Sequence, residues 1–174
     1  MLRTYTSEKA RAAMILSDVG LLVVRLVAGG YVMKYGLPKL RDADGAFAKE
    51  FESFGFRPAR KFVTQAGTVE LLAGALTVVG ALGPLGPMML LADMIVAGTT
   101  TTAHAKRFDL DQHEEQALFA AIAVLLALGG PGALSADAAL GIRAFDRAWL
   151  RALSIPAALA GAAFMLSQRT SPDA

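Results

Sequence analysis

The chain has 174 residues, 55% apolar and 18% charged, with a formal net charge of +2. The charges gather in short polar patches between long apolar intervals, the pattern of a polytopic helical membrane protein rather than of a soluble domain. Lysine and arginine are scattered without a basic recognition helix, which argues against nucleic acid, and the absence of cysteine excludes disulfides, thiolate catalysis and cysteine-ligated iron–sulfur clusters.

Residues 1–16 read as an interfacial amphipathic segment or a frayed tail, with Arg3, Lys9 and Arg11 towards headgroups and Met14, Ile15 and Leu16 entering the bilayer. The following apolar run is longer than a signal core and lacks a small-residue cleavage site, so it reads as a retained first helix. That helix is expected over about Ser17–Leu37, ending before Pro38. About 21 residues at 1.5 Å each cover roughly 30 Å, enough to cross a bilayer.

The connection over 38–61 carries Phe47, Phe51 and Phe54 at helical spacing, with Phe56 beyond. A short helix lying flat at the interface, or dipping in as a lid, explains that spacing. It is a candidate gate or docking surface, with plain surface packing as the alternative. A second helix is expected over about Phe62–Leu82. After the turn "GPLGP" comes a third over about Leu85–Ala103, antiparallel to the second because the link is so short.

The polar loop from His104 to Glu115 leads to a short fourth helix, "QALFAAIAVLLALGG". The loop's acids, Asp109, Asp111, Glu114 and Glu115, beside His113 read as a solvated surface rather than a metal site. His104 and His113 do not form a convincing haem-ligand pair. Beyond "PGALSAD", Arg143, Arg147 and Arg151 at i, i+4, i+8 beside Trp149 suggest a basic interfacial helix over 138–151. Residues 152–166 are apolar but short, either a fifth membrane helix or an interfacial one. The expected architecture is all-α: an interfacial segment 1–16, a four-helix transmembrane bundle 17–137, and an extension 138–174.

Three ionisable residues fall inside the apolar runs, Arg25, Glu70 and Asp93, one in each of the first three helices. A charge in the bilayer is costly, so such residues turn inward and pair. Counted from the expected helix starts they lie at similar depth. That suggests an Arg25–Glu70 pair with Asp93 nearby, eased by Gly67, Gly74 and Thr77 on the Glu70 face. The same trio serves as a structural clamp or as a site for a ligand carbonyl, a quinone head or a proton. Tyr35 either ends a hydrogen-bond relay towards the side of His104 or belongs to the aromatic belt.

The stretches "RLVAGGYVMKYGLPKL", "GTVELLAGALTVVGAL", the histidine after the third helix and "EEQALFAAIAVLLALGGPGALSAD" together resemble the DoxX family of small bacterial membrane proteins, over about residues 20–137. The resemblance implies a four-helix domain of the bacterial inner membrane. Arg25, Gly36, Lys39, Leu40, Glu70, His104, Gly130, Gly132, Ser135 and Asp137 stand at its recurrent positions. Tyr35 stands where the family motif commonly has histidine, and Asp93 is an acid the pattern does not demand. The resemblance further implies an accessory subunit of a quinone-linked oxidoreductase or oxidative-stress system, beside a redox protein partner and in contact with membrane lipid. Arg25, Glu70, Asp93, Tyr35 and His104 are then the candidate quinone-binding residues. A small-solute or lipid transporter, which at this length calls for a homo-oligomer, and a purely structural docking protein are the alternatives. Whether the chain is itself an enzyme stays open.

Overall fold

The computed structural model describes residues 2–106, 109, 111, 113–145 and 147–170, with side chains from Ala13 onward. It contains helices α1 (Leu2–Arg41), α2 (Ala46–Ser53), α3 (Ala59–Val79), α4 (Leu85–Ala105), α5 (Glu114–Gly129), α6 (Ala136–Ala139) and α7 (Ala148–Ser167), and no strand among the described residues. Three segments are long and apolar enough to cross a membrane: Ala13–Arg41, Ala59–Val79 and Ala148–Ser167. The all-α membrane class expected from the sequence is the one observed, although α4 and α5, two of the four expected spans, are not among these three.

Helix α1 runs straight through two expected boundaries. The segment before residue 17 continues the helix, and Pro38 lies inside it. Proline removes one amide donor, but its own carbonyl still accepts from the Asp42 amide at 3.0 Å. In the last turn, where few donors remain to be lost, that is cheap enough for the helix to pass through.

Helix α3 packs antiparallel on α1 through two glycine pairs. A Cβ on Gly29 would stand 2.6 Å from the carbonyl oxygen of Gly74, and one on Gly36 would stand 2.7 Å from that of Gly67. Only glycine allows such backbone contact, and within a bilayer close packing is a main source of helix association. The two pairs also fix the register, since seven residues forward on α1 match seven residues back on α3. Helix α3 ends at Val79 because Gly80 turns left-handed (φ +65°) and returns its amide to Leu76.

The turn into α4 holds Leu82 and Gly83 at φ +60° and +58°. The Asp137 carboxylate accepts from both amides, at 3.0 and 2.7 Å, and fastens the turn. Gly86 then faces Thr77, where an added Cβ would meet the Thr77 amide nitrogen at 2.8 Å. Helix α4 contacts α3, α5 and α7, and so forms the centre of the bundle.

The C-terminal third departs from expectation. Residues 138–151 are not one basic helix. Only α6 forms, capped by Ser135, whose hydroxyl accepts from the Ala138 amide, and the chain leaves the helix through Gly141 at φ +66°. Arg143 lies in the ensuing coil, and Arg147 caps α7 in an extended conformation, so the three arginines share no helix face. Helix α7 starts before residue 152. Its 20 residues reach about 30 Å, and the open reading of the apolar segment resolves as a full-length candidate span.

Candidate functional site

Glu70 sits near the middle of α3, 5% exposed. The α1–α3 register leaves it within reach of Lys39, whose ammonium pairs with Oε1. Each charge lies three residues past a contact glycine, Gly36-Leu-Pro-Lys39 and Gly67-Thr-Val-Glu70. The α3–α4 register supplies the third member. With Thr77 opposite Gly86, seven residues along each antiparallel helix bring Glu70 level with Asp93, which interacts electrostatically with Glu70 and Lys39.

These groups face a cavity of about 790 Å³. Its lining is mostly apolar and includes Val32, Met88, Met89, Phe119 and residues of α7. Tyr31 stacks on Phe119 with ring centres 4.8 Å apart, and the Tyr31 and Tyr35 hydroxyls hydrogen-bond at 3.0 Å. Both tyrosines line the cavity, as do Glu115 and Gln116 at the start of α5. Two buried acceptor oxygens in the lining have no partner, Glu70 Oε2 and Gln116 Oε1.

Helix α2 closes one end. Phe47, Phe51 and Phe54 reach the cavity together with Phe56. Phe56 is almost fully buried against Phe51 and Phe62, with ring centres 5.8 and 5.1 Å apart. The segment after α7 fastens this lid. Arg169 Nε donates to the Phe54 carbonyl at 2.7 Å, and the Thr170 amide donates to the Gly55 carbonyl at 2.8 Å.

The expected Arg25–Glu70 pair does not form. In the observed register Arg25 stands opposite Val78, eight residues or about 12 Å along α3 from Glu70. Its guanidinium donates instead to the carbonyl oxygens of Pro131, at 2.7 Å, and Leu134. Arg25, 2% exposed, thus secures the loop after α5 at the far end of the bundle from the lid. The equal-depth count went wrong because α1 begins far upstream of Ser17 and runs antiparallel to α3.

Of the five candidate residues, Glu70, Asp93 and Tyr35 share the cavity, while Arg25 and His104 lie outside its lining. His104 is exposed and sets its ring edge-on to Phe54 of the lid at 5.5 Å. His113 is buried, its Nδ1 bonded to the Asp109 carbonyl and its Nε2 to Thr102 Oγ1 and the Gly98 carbonyl, so it ties α4 to α5. No cluster of metal-ligating side chains occurs among the described residues. Tyr31, Gln116 and Phe119 escaped the sequence reading. Lys39 entered it only as a recurrent position of the family, because in the antiparallel register it lies six residues along from the level of Glu70 and only its long side chain closes the gap.

No curated protein and no solved structure matches the chain. Residues 20–105 match the DoxX family model, taking in α1 from Gly20 through α4, with Lys39, Glu70 and Asp93, and stopping before α5. The matched segment carries both glycine contacts and every charged residue of the cavity lining except Glu115. Residues 20–105 are thus a DoxX-family domain, and the chain that carries it is a multi-pass membrane protein.

Proposed function

We propose that the chain is a membrane subunit of a quinone-linked oxidoreductase or oxidative-stress system, and that its cavity holds the quinone. The observation that carries this reading is Glu70, a 5% exposed carboxylate that lines, beside Asp93 and Lys39, a mostly apolar cavity of about 790 Å³. The volume falls in the range of small-molecule sites, where an apolar wall takes the body of the ligand and a few polar groups fix its head. Glu70, Asp93 and Lys39 supply those groups, and Tyr31 and Phe119 supply flat aromatic surface beside them. Bound quinone would contribute the two-electron chemistry; the chain's own residues orient the head and hold protons near it. With no cysteine to carry thiol or iron–sulfur chemistry, electrons come from a redox protein partner, for which the lid is the natural docking face.

A second reading is lipid or small-solute handling. It is favoured by the exposed Thr64, Gln65 and Thr68, which make one wall of the cavity open outward on α3. Mass spectrometry of the protein purified gently with native lipid separates the two. A stoichiometric quinone supports the first reading, and a specific phospholipid or solute supports the second. A folded protein with nothing bound sinks both and directs attention to partner docking.

A further inference from the structure

We infer that a second cavity, at the end of the bundle away from the lid, holds the phosphate-bearing head of an anionic membrane lipid. The inference goes beyond the quinone reading and does not depend on it. The cavity measures about 350 Å³ and is bounded by the loop after α5, by α6 with the coil that follows it, and by Arg151 of α7.

Helical spacing does not gather the arginines of this region, but the coil does. The chain turns at Gly141, φ +66°, and Arg143 beyond it lines the same cavity as Arg151, the fourth residue of α7. The loop leaves room for the Arg151 head. A Cβ on Gly130 would stand 2.5 Å from its Nη2, whereas Gly129 and Gly141, both in the lining, have open space around them. One carboxylate, Asp137, belongs to the lining, and both its oxygens accept from the Leu82 and Gly83 amides. Asp18, which accepts from the Ala133 amide, is not part of it. Two guanidiniums thus stand against one carboxylate already bonded to the backbone, an excess that an anion offsets. Helix α7 has no acid in its first turn, so the positive end of its dipole adds to that excess.

Guanidinium groups suit phosphate, whose oxygens they bond through paired N–H donors. The place decides for a lipid over a free ion. Helix α7 is a candidate span, so its first residues stand where the bilayer meets water. Trp149 and Leu153 of α7 are exposed, as are Leu134 and Leu140, each next in sequence to a lining residue. They offer acyl chains an apolar surface beside the charged cavity. Tryptophan favours the membrane interface, and basic pockets at the ends of membrane helices take anionic headgroups. Small-molecule sites start at about 300 Å³, so the cavity has room for a head but not for a whole lipid.

Trp149, the one tryptophan of the chain, lies two residues from Arg151 and serves as the reporter. The full chain in non-ionic detergent micelles is titrated with short-chain phosphatidylglycerol carrying brominated acyl chains, and separately with phosphatidylcholine carrying the same chains. Two arginines against one anionic head should let phosphatidylglycerol half-quench the fluorescence at about thirtyfold lower mole fraction. Equal quenching by the two lipids overturns the site. Arg143→Gln and Arg151→Gln should each cut the preference about fivefold. Arg147→Gln, which removes the same charge from outside the lining, should hardly change it. Equal losses in all three would mean diffuse attraction to a basic surface and would overturn the site as well. Arg143 is exposed in coil, so its variant decides the matter even where Arg151→Gln, which empties the space over Gly130, fails to fold. Inorganic phosphate in molar excess should leave the quenching in place. Release of the lipid by phosphate would give the site to a free anion and overturn the lipid assignment.

Discussion

At the scale of single residues, the buried Arg25 and the half-buried Lys39 of α1 have opposite assignments. Lys39 neutralises a carboxylate in the cavity, whereas Arg25 fastens a loop through backbone carbonyls. Lys39→Met leaves Glu70 buried without its counter-charge and is expected to cost about 3–5 kcal/mol. Thermal unfolding in detergent should show a large drop for this variant and a partial recovery in Lys39→Met/Glu70→Gln. A double mutant no better than the sum of its parts would mean that the two residues do not form a unit. Arg25→Ala should also lower the melting temperature, but ligand occupancy of the folded fraction, read by native mass spectrometry, should stay unchanged. An Arg25→Glu/Glu70→Arg exchange should rescue nothing. The presence of buried charges was legible in the sequence; their pairing was not. Arg25 answers to carbonyls of Pro131 and Leu134, and a backbone acceptor leaves no trace in residue identity.

At the scale of elements, glycine sets the geometry. Gly29, Gly36, Gly67 and Gly74 lie in backbone contact, whereas Gly20 and Gly30 on the same α1 have open space around them. Gly36→Leu or Gly74→Leu should force α1 from α3 and abolish the monodisperse peak in size-exclusion chromatography, while Gly20→Leu and Gly30→Leu should elute as the parent does. Equal tolerance at all four would refute the contact. The spans of α1 and α3 were readable as apolar runs, and the short helix α2 was readable from phenylalanine spacing. Helix ends were less so: Pro38 falls where a helix tolerates it, and Gly80 stops α3 at Val79, three residues short of Leu82, through a left-handed turn that many glycines never adopt. The arginines at 143, 147 and 151 had helical spacing without a shared helix: Arg143 lies in the coil after Gly141, Arg147 caps α7 and Arg151 lies inside it.

At the scale of the whole molecule, the antiparallel order of α1, α3, α4, α5 and α7 puts the start of the α1 span and the end of α7 at opposite ends of the bundle. The chain has no cysteine, so single cysteines at Ser17 and Ser167 should react with an impermeant maleimide from opposite faces of sealed vesicles. Labelling of both from one face would exclude this topology. The clasp of Arg169 and Thr170 on Phe54 and Gly55 should likewise restrain the lid. In a Phe47→Cys background, truncation after Gln168 should raise the labelling rate several-fold, and an unchanged rate would show that the lid holds by its own aromatic packing.

That clasp also imposes an order in time. Ribosomes deliver α1 to α5 before α7, so the walls around Glu70 are assembled while the bond from Thr170 to Gly55 does not yet exist. During this interval an apolar guest dissolved in the bilayer has the freest way in, and the arrival of α7 adds a wall and pins the roof. If the cavity takes such a guest, its loading would precede the closing of the roof, and truncation after Gln168 would leave the cavity open throughout.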